Sequence, residues 1–159
     1  MTSRTKAAPH AAEAMLENLR KAGLKRTAQR EAIARQLATD CTHPTAQELF
    51  ERLRPAFPTM SFATVYNTLD ALTSAGLART LRLGGAARFD PNVDPHHHAV
   101  CDACGAIVDL PVASIDATTA ERSQLRASAD GFAVRTVEHV YRGLCAACQK
   151  AQGSEAEPA

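Results

Sequence analysis

The chain has 159 residues, 45% hydrophobic and 22% charged, with 18 Lys/Arg against 17 Asp/Glu and a formal net charge of +1. That length suits one ordinary domain or two small ones, and the composition is that of a globular protein rather than a low-complexity or disordered chain. No apolar run reaches membrane-spanning length, and His10 and Glu13 interrupt the Ala-rich start before a signal-peptide core can form, so the expectation is a cytoplasmic protein with no membrane partner.

Helical periodicity dominates the first half. Ala12, Met15, Leu16 and Leu19 fall on one face of a first helix that Gly23 ends, and Thr27 is placed to cap a second. Ala46, Leu49, Phe50 and Leu53 mark a third, opened by a Thr45/Glu48 capping box. Phe62, Val65, Leu69 and Leu72 mark a fourth, with Ser61 as its cap and Gly76 closing it. Leu77–Leu83 and Ala86–Asp90 then read as two strands around a tight Gly84-Gly85 hairpin turn.

Helices followed by a hairpin predict a winged helix. Residues 61–75 would then lie in a DNA major groove, presenting Ser61, Thr64, Tyr66 and Asn67 to bases and phosphates. The competing reading is a packed helix with a polar face. Charge distribution separates the two: residues 1–88 hold 13 Lys/Arg against 7 Asp/Glu, a balance of +6, while residues 89–159 hold 5 against 10, a balance of −5. A nucleic-acid-binding half joined to a half with another task has this polarity.

Asp90-Pro91-Asn92-Val93-Asp94-Pro95 has linker composition, and the domain boundary is expected there. The remainder reads as a strand through the histidines, a strand at Ala106–Leu110, a helix from about Ser114 to Ala127 and a strand from Phe132 to about Tyr141. Gly, Ser, Glu and Pro from Gln152 onward suggest a disordered tail. The expected fold is α+β: a winged helix-turn-helix domain at 1–89, a small α/β metal-binding dimerisation domain at 90–151, and a tail at 152–159.

Two Cys-x-x-Cys pairs, Cys101/Cys104 and Cys145/Cys148, carry the strongest chemical signal. Each is a short loop that turns two sulfurs inward, and two such loops from distant parts of the chain complete a four-thiolate zinc site. In a reducing compartment five cysteines make poor disulfide material, and a redox dithiol would need one pair rather than two. The fifth, Cys41, reads as a small apolar residue at a helix end, with a reactive thiol as the alternative.

The histidine run obeys strand geometry. Side chains alternate, so His96 and His98 share a face while His97 points the other way, and only two of the three can chelate one ion. Asp90 just upstream and Asp109 on the expected neighbouring strand supply carboxylates. Such a His/Asp mixture suits Fe(II), Mn(II) or Zn(II) rather than the thiolate-loving metals. A solvated histidine cluster beside a turn is the plainer alternative.

Five motifs taken together resemble the ferric uptake regulator family over about Leu24 to Cys148. They are Leu24-Lys25-Arg26-Thr27-Ala28-Gln29-Arg30; His43-Pro44-Thr45-Ala46; Ser61-Phe62-Ala63-Thr64-Val65-Tyr66-Asn67-Thr68-Leu69; Arg88-Phe89-Asp90; and His96-His97-His98-Ala99-Val100-Cys101-Asp102-Ala103-Cys104-Gly105. The resemblance implies a dimeric metalloregulator with an N-terminal winged helix, a C-terminal dimerisation domain, a structural zinc and a regulatory metal between the domains. It also implies a palindromic, AT-rich operator. By resemblance the regulatory ligands are His43, Asp90, His96, His98 and Asp109, and the DNA contacts include Lys25, Tyr66 and Asn67. Taken alone, His43 beside the helix-starting Pro44 reads as a capping or packing residue.

Aspartate at both acidic positions, with the Tyr66-Asn67 pair, resembles the peroxide-sensing branch, whereas iron sensors usually carry glutamates there. Pro95 and His97 also replace residues that iron sensors often give to a neighbouring site. The implied mechanism is Fe(II)-dependent peroxide reduction that oxidises His43 or His96 and releases DNA, with Mn(II) giving an insensitive repressor. The alternative within the family is an iron, manganese or zinc uptake regulator. A zinc hydrolase or deaminase is the reading from another class; the chain lacks a His-x-Glu paired with Pro-Cys-x-x-Cys and a carboxylate placed as general base, so no enzyme is expected. His139 falls outside the register of the additional histidine found in some members and is left off the ligand set.

Overall fold

The computed structural model describes residues 11–111 and 139–153. The chain divides into two compact units, Met1–Asp94 and Pro95–Ala159. The fold is α+β.

Among the described residues the first unit holds four helices and a hairpin: α1 (Ala11–Lys21), α2 (Ala28–Ala38), α3 (Ala46–Leu53), α4 (Phe62–Ser74), β1 (Arg79–Leu81) and β2 (Arg88–Asp90). Their ends follow the local chemistry. Thr27 caps α2 by accepting from the Arg30 N–H, Ser61 caps α4 by accepting from the Thr64 N–H, and Thr45 and Glu48 form a reciprocal capping box on α3. Gly23 and Gly76 close α1 and α4 in the left-handed region, at φ +71° and +69°, where a side chain would be strained. Leu19, Ile33, Leu37, Leu49, Val65, Leu69 and Leu72 lose all exposure in the core where α1, α2, α3 and α4 pack, and Phe89 of β2 joins them.

The hairpin departs from the expected tight turn. Arg79 pairs with Asp90, Thr80 with Phe89 and Leu81 with Arg88. Extending that register would centre the turn on Gly84-Gly85, yet the ladder stops at Leu81 and Arg88. Leu81 and Phe89 are buried, whereas Gly84, Gly85 and Ala86 are exposed and have almost no side chain to pack, so nothing offsets the entropy of extending the strands. β2 is tied instead to the segment before α3: the Phe89 N–H donates to the Pro44 carbonyl at 2.9 Å, Thr45 forms a β-bridge with Arg88, and the Arg88 guanidinium donates to the His43 carbonyl at 3.0 Å.

Among the described residues of the second unit β3 (His96–Cys101) lies between two strands, antiparallel to β4 (Ile107–Pro111) and parallel to β5 (Val140–Gly143). A short α5 (Ala146–Gly153) follows β5. Gln152 and Gly153 therefore belong to a helix, not to the expected tail, because the Ala-rich turn started at the second cysteine pair carries on through good helix formers. The helix expected over 114–127, the strand residues 132–138 and the tail from 154 lie outside the described residues.

Candidate metal centres and nucleic-acid interface

The four cysteines of the second unit converge. Their sulfurs all lie within 4.8 Å of one another, and the Cys104 and Cys145 sulfurs stand 3.8 Å apart. A tetrahedron with Zn–S arms of about 2.3 Å has edges of about 3.8 Å, so the donor set fits Zn(II) in both chemistry and spacing. Local structure explains the convergence. The first pair sits on a knuckle in which the Gly105 N–H donates to the Cys101 carbonyl at 2.8 Å and Gly105 takes φ +71°. The second pair straddles the start of α5, where free helix amides favour thiolates. Asp102 N–H to Gly143 carbonyl, at 2.8 Å, ties the knuckle to the end of β5.

Hydrogen bonding grades the acidity of these thiols. The Cys145 N–H donates to the Cys101 sulfur at 3.3 Å, and with further amides from Cys104 and Ala103 it lowers the Cys101 pKa to about 6. The Cys145 thiol is also lowered, first by the Cys148 N–H. Cys148 is pushed up to about 12 because its own thiol donates to the sulfurs of Cys145, Cys104 and Cys101. Without metal, the last proton of the cluster rests on Cys148.

A second donor group lies on the opposite chemical footing. Strand alternation places His96 and His98 on one face of β3, their Nε2 atoms 2.9 Å apart, and both are buried. Asp109 sits directly across from His98 on β4, with its Oδ1 at 3.7 Å from the His96 Nε2 and 3.9 Å from the His98 Nε2. An N/O donor set of this kind accepts Fe(II), Mn(II) or Zn(II).

In the first unit His43 and Asp90, 2% and 1% exposed, hold Nε2 and Oδ1 3.9 Å apart. That distance is too long for a hydrogen bond and short enough for both atoms to hold one ion. The pairing of Thr45 and Phe89 with their neighbours creates this juxtaposition by laying β2 beside the segment that carries His43. His43 takes a positive φ of 54°, which a histidine rarely adopts.

Sequence reasoning missed what lies behind the histidine run. His97, on the other face of β3, accepts from the His139 N–H at 3.3 Å, and its ring lies 4.9 Å from that of His139 and 6.2 Å from that of Tyr141. The signal was present only in part: alternation turned His97 away, but its partners arrive through the parallel pairing with β5, which no local pattern encodes. Cys41 is exposed in a turn and is not at a helix end, as its sequence neighbours suggested.

On α4 the side chains of Tyr66 and Asn67 are exposed, Tyr66 by 52%. Ser61 is exposed and Thr64 half-buried at the start of the helix; their hydroxyls bond each other at 2.9 Å, and the Ser61 hydroxyl also accepts from the Thr64 N–H at 3.1 Å. Lys25 is exposed before α2, its carbonyl held by the Arg30 guanidinium at 2.7 Å. No helix among the described residues is long and apolar enough to cross a membrane.

Comparison with known proteins gives a consistent picture. The model of the ferric uptake regulator family matches residues 21–148. The peroxide operon regulator of Bacillus subtilis is 39% identical over 144 residues, covering 90% of this chain and 97% of its own. The peroxide-responsive repressor PerR of Staphylococcus epidermidis is 36% identical over 151 residues, covering 94% and 98%. Among solved structures, the ferric uptake regulator from Pseudomonas aeruginosa with manganese superposes with a TM-score of 0.61 at 28% identity, over 83% of this chain and 98% of that one.

Proposed function

This chain belongs to the ferric uptake regulator family and is a metal-dependent transcriptional repressor, and we propose that the signal it reads is peroxide. In this reading the repressor binds DNA as a homodimer, and the operator is palindromic and AT-rich, recognised in the cytoplasm, where the four zinc thiols stay reduced. The task is regulation rather than turnover of a substrate.

The observation that carries the reading is the separation of donor types: four thiolates for structural Zn(II), and imidazoles with aspartates for a second, exchangeable ion. We assign the regulatory ion to His43 and Asp90 of the first unit and His96, His98 and Asp109 of the second. An ion holding both sets couples the DNA-binding unit to the dimerisation unit, which is a differential contact of the kind a two-state switch requires. Fe(II), when bound, supplies the reduction of peroxide. The chain's own part is to hold His43 and His96 buried and oriented as the imidazoles that take up oxygen, and to give up its grip on the ion once they have done so. At the other end Lys25 reaches phosphates or the minor groove, while Ser61, Thr64, Tyr66 and Asn67 face the major groove.

The test is anaerobic loading with Fe(II), exposure to a slight excess of peroxide, and peptide mass spectrometry with a DNA-binding assay. One oxygen added at His43 or His96 together with loss of DNA binding is the expected result, and the Mn(II)-loaded protein should remain unmodified and bound. An unmodified, DNA-bound Fe(II) protein would replace peroxide sensing with control of iron, manganese or zinc uptake. Hydrolytic turnover by the zinc-loaded protein would favour a hydrolase or deaminase instead.

A further inference from the structure

Asp40 lies in the loop between α2 and α3 and is buried, at 8% exposure. Its Oδ1 accepts from the Thr42 N–H at 2.8 Å and from the Thr42 hydroxyl at 2.5 Å, while its Oδ2 accepts from the guanidinium of Arg52 on α3. The Asp40 N–H donates to the Leu37 carbonyl at 3.0 Å, which fixes the residue to the end of α2. Burying a carboxylate is costly unless it is paired and hydrogen-bonded, and Thr42 and Arg52 meet both of its oxygens. The arrangement is an Asx turn, in which an aspartate side chain bonds the backbone two residues further on.

That turn delivers the chain to His43. On the far side the chain is held separately: the Phe89 N–H donates to the Pro44 carbonyl at 2.9 Å, and the Arg88 guanidinium donates to the His43 carbonyl at 3.0 Å. His43 is thus the junction between two anchored segments, and it is the residue that takes the positive φ of 54°. A side chain is kept in that region only where its surroundings over-determine the backbone. Arg88 and Phe89 fix the carbonyl side of His43. The orientation of the peptide entering it, which completes φ and directs the imidazole, is set by the bonds from Thr42 to Asp40.

We propose that Asp40 is a positioning residue for the regulatory ion: its turn through Thr42 holds the backbone of His43 so that the imidazole Nε2 stands 3.9 Å from the Asp90 Oδ1, and Arg52 keeps the carboxylate in place. Asp40 is not one of the clustered donors, so its effect runs through His43. Without it the loop relaxes towards a less strained φ, and the imidazole turns away from Asp90. The proposal rests on the assignment of His43 to the regulatory ion made above.

A double-mutant cycle on the zinc-loaded full chain tests it, with Mn(II) affinity read by electron paramagnetic resonance. Asp40→Ala should weaken Mn(II) binding about 10- to 100-fold, as losses behind a ligand do, and should weaken it no further when His43 is already alanine. Asp40→Asn keeps an oxygen for both Thr42 bonds and gives up only the Arg52 contact, so it should stay within about 5-fold of the wild type. Asp40→Glu keeps the charge for Arg52, but its longer side chain does not close the turn; it should weaken binding as alanine does, and it carries the cycle if the alanine protein does not fold. An equal loss from Asp40→Ala with and without the His43 imidazole overturns the inference, as does a glutamate protein that binds like the wild type or an asparagine protein as weak as alanine. Unchanged Mn(II) affinity in His43→Ala alone would overturn the assignment of His43 and take the inference with it.

Discussion

His96 and His98 bring their Nε2 atoms to 2.9 Å of each other from alternate positions of β3, and Asp109 faces both from the paired strand. Two nitrogens held about 3.0 Å apart span one edge of an octahedron with arms of about 2.1 Å, so the strand itself pre-forms half of a chelate. Replacing His98 by Ala breaks that edge without disturbing the ladder hydrogen bonds of β3. Mn(II) affinity should fall about 100-fold or more, judged against the 10- to 100-fold that even outer-shell losses cost. Titration followed by electron paramagnetic resonance reads the loss, and zinc content must stay unchanged. Unaltered Mn(II) affinity would remove His98 from the regulatory set.

What could be read from the sequence divides along a physical line. Features with local causes were legible: the caps at Thr27, Thr45 and Ser61, the left-handed stops at Gly23 and Gly76, and the shared face of His96 and His98. Features made by non-local pairing were not. Nothing near His43 announces that β2 will lie beside it, because the Thr45–Arg88 bridge joins segments far apart in the chain. His43 therefore entered only through resemblance to a family, and on its own residues it read as a capping or packing group. The parallel β3–β5 pairing that brings His139 and Tyr141 to His97 is equally invisible to periodicity.

The zinc cluster should respond to acid in a direction fixed by its thiols. Zn(II) takes four thiolates, so uptake must displace any proton the cluster holds. Cys148, pushed up to about 12 by donating to neighbouring sulfurs, still carries its proton at neutral pH in the metal-free form. Cys101, lowered to about 6 first by the Cys145 N–H, does not. Acid thus opposes zinc binding throughout the range below about 12, and more steeply below about 6, where Cys101 must be deprotonated as well. Dialysis against a chelator at stepped pH, with zinc measured by atomic emission, should show retention at neutral pH giving way to loss in acid. Equal retention across that range would contradict the four-thiolate assignment, as would full zinc content in Cys148→Ser.

His43 combines a buried imidazole with a left-handed backbone, at 2% exposure and φ 54°. Holding a non-glycine residue there costs about 1–2 kcal/mol, which the Arg88 bond to the His43 carbonyl helps to offset. Glycine at this position removes the backbone strain together with the imidazole, whereas alanine removes only the imidazole. In the metal-free state His43→Gly should therefore unfold at higher urea concentration than His43→Ala, by about 1 kcal/mol at equal m-value. Both variants should lose the regulatory ion. If alanine proves the more stable of the two, the strain at His43 is not real; if either binds Mn(II) as the wild type does, His43 is a packing residue.

Lys25 and Asn67 should fail in different ways when removed, and the contrast separates positioning from reading. Lys25 is exposed at the start of α2 on backbone fixed by Arg30, and an ammonium there acts as a point charge that cannot tell one sequence from another. Lys25→Ala should weaken binding to operator and scrambled duplexes by a similar factor. Its plot of log affinity against log salt should be shallower by about one unit for each half-site the dimer occupies, because one condensed counterion fewer is released there. Asn67→Ala removes no charge, so its salt slope should match the wild type while discrimination between operator and scrambled DNA collapses. Fluorescence anisotropy over a salt series measures both quantities on the same samples. A Lys25→Ala protein with an unchanged slope would place the phosphate contact elsewhere, with the exposed Arg82 of the hairpin loop the next residue to replace.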